Sequence, residues 1–213
     1  MRSLNPVIWA AAVLVLASCA GTAATGDSDQ TTPVPATEAV SEPAPDIATA
    51  STLFSERMDT IDQAVADWRN SASIEAAHLA AETAANLVVG PNGPGYGDRD
   101  GDGVISGETT AGILPGLDGT PTGLATPLAA VGCVERDVLG GTWTNPGSEW
   151  GAMLTAIDNW RPDSNTMPTL ASHPMRIVGW ATFTLRSDSV NEAHEYGGHA
   201  KLHVDVSHRS LDC

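Results

Sequence analysis

The stretch SVNEAHEYGGHAKLHVDVSH (residues 189–208) permits two structures, and the choice between them decides the fold. From Lys201 to Ser207 apolar and polar residues alternate, as they do in a half-buried strand. The first half instead has helical spacing, and Ser189 followed by Glu192 is the pattern of a capping box at a helix N-terminus. A second segment of the chain separates the two structures.

An internal repeat favours the helix. An upstream segment matches this stretch at an offset of 116 residues and keeps one helical face in phase, although a chance match in an Ala-rich chain is the alternative. The matched pairs are Ile61 with Ile177, Ser71 with Ser187, Ser73 with Ser189, Ile74 with Val190, Ala77 with Ala193, His78 with His194, Ala84 with Ala200 and Val88 with Val204. We therefore predict a helix from Ser189 towards Val206 with Ala193, Gly197, Ala200 and Val204 facing inward.

The upstream segment itself has the pattern of a helical hairpin. Apolar residues recur every three or four positions over 53–70, and a second helix from Ile74 stops at Gly90 and Pro91. A third helix is predicted from about Asn145, with Trp150, Met153, Leu154, Ile157 and Trp160 on its apolar face. The predicted fold is mainly α: a helical bundle of two pseudo-repeated helical hairpins plus a connecting helix, with a long calcium-binding loop insertion.

That loop contains an acidic motif within residues 95–109, GYGDRDGDGVISGET. Asp98, Asp100 and Asp102 occupy alternate positions, Gly103 permits a sharp turn, and Val104 can offer its carbonyl. A tight loop turns such alternate carboxylates towards one hard cation, so the motif predicts calcium as the cofactor.

The motif resembles an EF-hand or dockerin-type calcium loop, which implies Asp98, Asp100, Asp102 and Val104 as ligands. The resemblance ends at position twelve, where Thr109 stands in place of the expected glutamate and Glu108 comes one residue early. Either Glu108 closes the site, or another group or water does. Residues 64–116 also resemble uncharacterised exported bacterial proteins in which a His-bearing helix leads into a YGDxDGDG loop, a resemblance that implies no particular activity.

The N-terminus predicts export. Residues 1–18 form a signal peptide with one early arginine and a short apolar run. The LASC tetrapeptide at residues 16–19 resembles a bacterial lipobox, which implies a lipid on Cys19. A secretory peptide with an incidental cysteine is the alternative. Residues 19–52 have the composition of a disordered tether, and 53–213 form one domain. We expect a protein outside the cytoplasm, anchored to the membrane through lipid, with an unidentified envelope or extracellular partner.

The charge of the chain excludes one class of partner, and its cysteine content predicts a disulfide. The formal net charge of −16 and the single lysine argue against nucleic acid, which needs a basic patch. Without Cys19, the remaining cysteines are Cys133 and Cys213, for which a disulfide is the expected state in an oxidising compartment. Two free thiols or a thiol metal site are the alternatives.

The histidines offer a second hypothesis. On a helix His199 and His203 share a face, and His78 precedes Glu82 by four residues, a spacing that suits metal ligands. With His194 these residues could form a transition-metal or haem site used in metal uptake; exposed or capping histidines are the other interpretation. HEYGGH departs by one residue from the zinc-protease motif, and we find no complete catalytic motif. The predicted function is therefore a non-enzymatic lipoprotein, a calcium-stabilised binding or structural module.

Overall fold

The computed structural model describes residues 45–162, 167 and 170–213, and its helices confirm the predicted mainly α fold. The signal peptide, Cys19 and most of the tether lie outside the described residues. The described residues form five α-helices: α1 (Ile47–Arg69), α2 (Ile74–Val89), α3 (Pro146–Asn159), α4 (His173–Leu185) and α5 (Val190–His208). The stretch 189–208 is helical, so its alternating pattern does not indicate a strand, and the described part of the chain contains none.

The two hairpins, α1 with α2 and α4 with α5, follow the predicted repeat. Helices α1 and α4 end, and α2 and α5 begin, at positions that differ by the same 116 residues. Ser73 and Ser189 cap α2 and α5 in the same way, each side chain accepting a hydrogen bond from a backbone N–H three residues later. The two hairpins also pack against each other: α1 contacts α5, and α4 contacts α2.

Two equivalent histidines tie the hairpins together. Nε2 of His78 lies 3.0 Å from the carbonyl oxygen of Ser187, and Nε2 of His194 lies 3.0 Å from the carbonyl oxygen of Ser71. Because a carbonyl only accepts, each imidazole donates from Nε2. Each hairpin thus supplies a histidine that binds the turn of the other hairpin, and this reciprocal pair gives both residues a structural role.

The start of α5 departs from a simple capping box. The Glu192 carboxylate accepts from the Ser187 hydroxyl at 2.6 Å, and that hydroxyl accepts from the Ser189 N–H at 3.0 Å. Ser187 therefore relays the bond that Glu192 was predicted to make directly to the backbone of Ser189. The helix start is the predicted one, and only the connection differs.

The first helix begins earlier than the predicted domain boundary at residue 53. Asp46 caps it, with its carboxylate accepting from the N–H groups of Ala48 and Thr49, both at 3.0 Å. Ala50 is already buried in the core. Residues 47–52, which the composition assigned to the tether, therefore belong to α1, because an aspartate cap followed by alanines suffices to start the helix.

The long connection between α2 and α3 is ordered and contributes to the core. It holds a 3-10 turn, Thr126–Leu128, and a π-helical turn, Val134–Leu139, which are too short for sequence periodicity to predict. The N–H groups of Ile113 and Leu114 donate to carbonyls in the last turn of α2. The buried apolar residues of the connection are Ile113, Leu114, Ala125, Leu128, Val134, Val138, Leu139 and Trp143.

The structure pairs Cys133 with Cys213 at disulfide distance, with Cα atoms 5.8 Å apart and a sequence separation of 80. Beside this pair the Cys133 N–H donates to the Ser210 carbonyl at 2.7 Å. The segment after α5 is thereby held against the π-helical turn. None of the described helices combines the length and apolar character needed to cross a membrane.

Candidate metal centre

A fully buried glutamate on α2, Glu82, organises the acidic loop. Its Oε2 accepts from the N–H groups of Arg99 at 2.5 Å and Asp100 at 3.0 Å, and its Oε1 accepts from the N–H of Ser106 at 2.7 Å. One carboxylate therefore binds both the Asp-rich turn itself and the chain shortly after it. Charge-assisted bonds of this kind are among the stronger hydrogen bonds in proteins.

Asn86, one helical turn beyond Glu82, completes the attachment of the loop to α2. Its Nδ2 donates to the carbonyls of Gly97 and Ser106, both at 2.8 Å. Its Oδ1 accepts from the Gly97 N–H at 3.2 Å and from Nε of Arg99 at 3.0 Å. A buried amide with all these bonds formed fixes the loop at two separate points.

The three aspartates bind backbone N–H groups within the turn. Asp98 accepts from Gly101 at 2.7 Å and from Gly103 at 2.9 Å, one bond on each carboxylate oxygen. Oδ1 of Asp100 accepts from the N–H of Asp102 at 3.1 Å, and Oδ1 of Asp102 accepts from the N–H of Val104 at 2.7 Å. The turn is therefore folded with its carboxylates held in defined positions.

The carboxylates that come closest together are not all the predicted ones. Glu82, Asp98 and Asp100 each offer an oxygen, and these oxygens lie within 4.8 Å of one another. Asp102 and Glu108 are outside this group and are exposed. Val104 is exposed too. The ligand role of its carbonyl stays a prediction. Sequence reasoning considered Glu82 only as a partner of His78 and missed this role; the available signal was a glutamate on the Ala-rich, inward face of α2.

The charges around the turn favour a cation. Burial raises the pKa of Asp100, and the carboxylates of Glu82, Asp102 and Asp98 add to this rise. Burial lowers the pKa of Arg99 to about 10, while Glu82 acts in the opposite direction. The carboxylates of Glu82, Asp98 and Asp100 outnumber the one guanidinium of Arg99, and Asp102 adds to the negative charge, so a divalent cation would offset much of the excess.

The predicted histidine set is distributed over different contacts. His78 and His194 form the reciprocal pair between hairpins, and His199 stacks on Trp180 with ring centroids 4.5 Å apart. His203 instead meets His173 of α4, with 3.0 Å between their Nδ1 atoms, so one ring donates to the other. Over the residues that the structure describes, no group of three or more ligand atoms within 4.8 Å includes a histidine.

The burial of His203 beside His173 predicts that stability depends on pH. Burial lowers the pKa of His203 to about 3, and His173, Arg176 and His199 act in the same direction. An unfolded histidine titrates near 6.5, so the unfolded chain takes up this proton first. Because the folded pKa is depressed, the stability linked to His203 is complete above about pH 6.5 and falls as the pH drops towards 3.

The free energy of unfolding of the parent should fall when the pH is lowered from 7 to 4.5. In His203→Gln this fall should be smaller by about 2 kcal/mol, because the glutamine does not titrate. Urea unfolding of both proteins at the two pH values measures this difference. Equal losses in parent and variant would show that His203 does not titrate as its burial indicates.

No protein-family model, curated protein or solved structure matches this chain.

Proposed function

We propose that the protein is a membrane-anchored lipoprotein outside the cytoplasm, whose helical domain is a calcium-stabilised binding or structural module. The observation that carries the calcium proposal is the cluster of Glu82, Asp98 and Asp100 at the Asp-x-Asp-x-Asp-Gly turn. Calcium takes six to eight oxygen ligands from carboxylates, carbonyls and water, and this turn supplies oxygens alone.

The hydrogen bonds of the turn are compatible with a bound ion. Asp100 and Asp102 use Oδ1 for the backbone, and no hydrogen bond between described residues engages their Oδ2 atoms. A cation can therefore approach these oxygens while the turn keeps its fold. Glu82 supports the turn from the buried side, so an ion at this position would connect α2 with the loop.

The alternative, a transition-metal or haem module, needs His78, His194, His199 and His203 in one place. In the described structure two of them bind backbone carbonyls and one stacks on an indole ring. The calcium proposal is therefore the better supported one. Elemental analysis and an absorption spectrum of the purified protein distinguish the two, since stoichiometric zinc, iron or copper, or a Soret band, would favour the alternative.

Calcium should raise the melting temperature of the protein by about 1 to 6 °C at about 1 mM. A ligand that binds only the folded state adds about 2.7 kcal/mol at a hundredfold excess over Kd, and extracellular calcium sites are weak enough that the gain here should be smaller. Magnesium should act less, because it demands tighter octahedral geometry. Differential scanning calorimetry with and without each ion measures the shift.

Three variants locate the calcium effect. Asp98→Asn combined with Asp100→Asn should remove the calcium-dependent shift, while Asp188→Asn, an exposed aspartate on the turn between α4 and α5, should keep it. Glu108→Gln should reduce the calcium-dependent shift if Glu108 closes the site in place of a glutamate at position twelve. If the double variant and the parent respond equally to calcium, the turn is an acidic turn without a bound ion.

The membrane anchor is proposed from LASC and the composition of residues 19–44. We expect Cys19→Ala to abolish lipidation and to leave the precursor uncut or mislocalised. Partition between detergent and aqueous phases checks this, with the parent protein in the detergent phase. Normal retention of the variant in membranes would show that Cys19 is incidental.

A further inference from the structure

The two hairpins differ in what covers their outer grooves. In the groove between α4 and α5, Trp160 at the end of α3 stacks on Phe183 with ring centroids 4.2 Å apart. The same indole meets the edges of Trp180 at 5.8 Å and Tyr196 at 6.0 Å. The second hairpin thus has its groove filled by aromatic side chains and covered by the end of a helix from the same chain.

Further contacts show how closely this cover fits. A Cβ built on Gly179 would lie 2.5 Å from Sδ of Met167 and 3.7 Å from Cγ1 of Ile157 on α3. The groove floor is therefore in direct contact with the covering segment, and Ile157 and Trp160 approach it from the same end of α3.

The equivalent groove between α1 and α2 is open. At the positions 116 residues before Trp180, Phe183 and Tyr196 stand Ala64, Asp67 and Ala80, which are much smaller or polar. These three residues line a groove of about 390 Å³ together with Leu79, whose side chain is 45% exposed. The first hairpin has alanine where the second has Trp180 and Tyr196, so its groove is not filled by its own side chains.

The rim of this open groove is acidic. Asp67 lies along it, and beyond Leu79 it continues into a cleft of about 340 Å³ lined by Glu75, Asp100 and Asp102. Neither part is lined by a lysine or an arginine. An apolar floor with such a rim is complementary to a cationic partner that carries a large apolar side chain.

We infer that the groove between α1 and α2 is a binding site for a cationic amphipathic helix of a partner protein, with an aromatic side chain inserted over Ala64 and Ala80. The partner would occupy the place that α3 and Trp160 occupy on the second hairpin. The groove spans residues 60–67 of α1, about two helical turns, which matches a short helical segment. This inference rests on the proposed binding role of the module. Because Asp100 and Asp102 also belong to the proposed calcium site, a bound ion would reduce the negative charge of the rim, and the peptide titration below is therefore performed in calcium-free buffer.

The test uses α3 as the source of the probe. A peptide with the sequence of residues 146–160, in which Glu149 and Asp158 are replaced by lysine, is titrated into the exported protein, residues 20–213, and followed by NMR. We expect shifts of the backbone amides of Ala64, Leu79 and Ala80 that saturate. The same peptide with Trp160→Ala should bind at least about tenfold more weakly, since the indole supplies most of the buried contact.

Two protein variants check that the groove is the site. Ala64→Trp, which reproduces the second hairpin, should fill the groove and weaken binding at least about tenfold. If that variant does not fold, the exposed Asp67→Lys decides, because it should weaken the cationic peptide while the matched Asp188→Lys does not.

Three results would overturn the inference. The first is the absence of groove shifts with the lysine-bearing peptide. The second is groove shifts that depend on protein concentration alone, which would make a second copy the occupant. The third is a change in the amide shifts of the groove residues when residues 20–44 are deleted, which would show that the tether occupies the groove. The calcium melting experiment is separate, so the failure of either proposal is recognisable on its own.

Discussion

Replacing Glu82 with alanine should lower the free energy of unfolding by about 3 to 5 kcal/mol and detach the acidic loop from α2. The substitution removes the acceptor of three backbone N–H groups, those of Arg99, Asp100 and Ser106. It also removes the carboxylate that offsets the effect of burial on the Arg99 guanidinium. Denaturant unfolding measures the loss, and amide hydrogen exchange at Ser106 reports the detachment.

Glu82→Gln should lose less stability, because its remaining carbonyl oxygen can still accept from the loop. Glu75→Ala is the matched control, since Glu75 is an exposed glutamate in the first turn of the same helix, and it should cost far less stability than Glu82→Ala. A Glu82→Ala protein that unfolds like the Glu75→Ala protein would contradict the organising role of Glu82.

A pair of glycines tests the same attachment independently. Gly107 and Gly101 both have positive φ, 74° and 80°, so alanine is strained at either position. At Gly107 a Cβ would also lie 2.5 Å from the carbonyl oxygen of Thr83 on α2, whereas at Gly101 it would meet nothing within 4 Å. Gly107→Ala should therefore be the more destabilising change, and equal losses would place the loop farther from α2.

Loss of the disulfide should have the other large effect, about 4 kcal/mol. The bond between Cys133 and Cys213 closes a loop with a sequence separation of 80 residues, and the chain-entropy model gives a stabilisation of this size. Cys133→Ala combined with Cys213→Ala should lower the denaturation midpoint by the corresponding amount.

Reduction of the parent protein is the control for the disulfide variant, because it breaks the bond without changing the packing residues. Both treatments should give the same loss within about 1 kcal/mol, and mass spectrometry of a non-reduced digest should join the two cysteine-bearing peptides. A double variant as stable as the oxidised parent would show that the pair does not constrain the unfolded chain.

The helices were predictable because their apolar residues recur at helical spacing and their ends carry local signals. Ser73 and Gly90 delimit α2 in the sequence as they do in the structure, and Asn145 caps α3 at the predicted position. The repeat settled the ambiguous stretch, since His194 and Ala200 share a helical register with His78 and Ala84. Local pattern and internal symmetry thus give the bundle.

The centre of the candidate site was less predictable, for a physical reason. The aspartates of the turn are visible in the sequence because they are spaced by their own geometry. Glu82 binds N–H groups 17 to 24 residues away, and a backbone N–H leaves no trace in residue identity. The contact between His173 and His203 likewise depends on the packing of α4 against α5, which the spacing within either helix does not reveal.

The packing of the two hairpins against each other joins the first helix of the domain to the last. Helix α1 contacts both its neighbour α2 and the distant helix α5, so the part of its apolar surface that faces α5 is covered only when α5 is in place. Contacts between such distant parts of a chain form slowly. The core of this domain can therefore be completed only after α5 has been synthesised, although the first hairpin is complete much earlier.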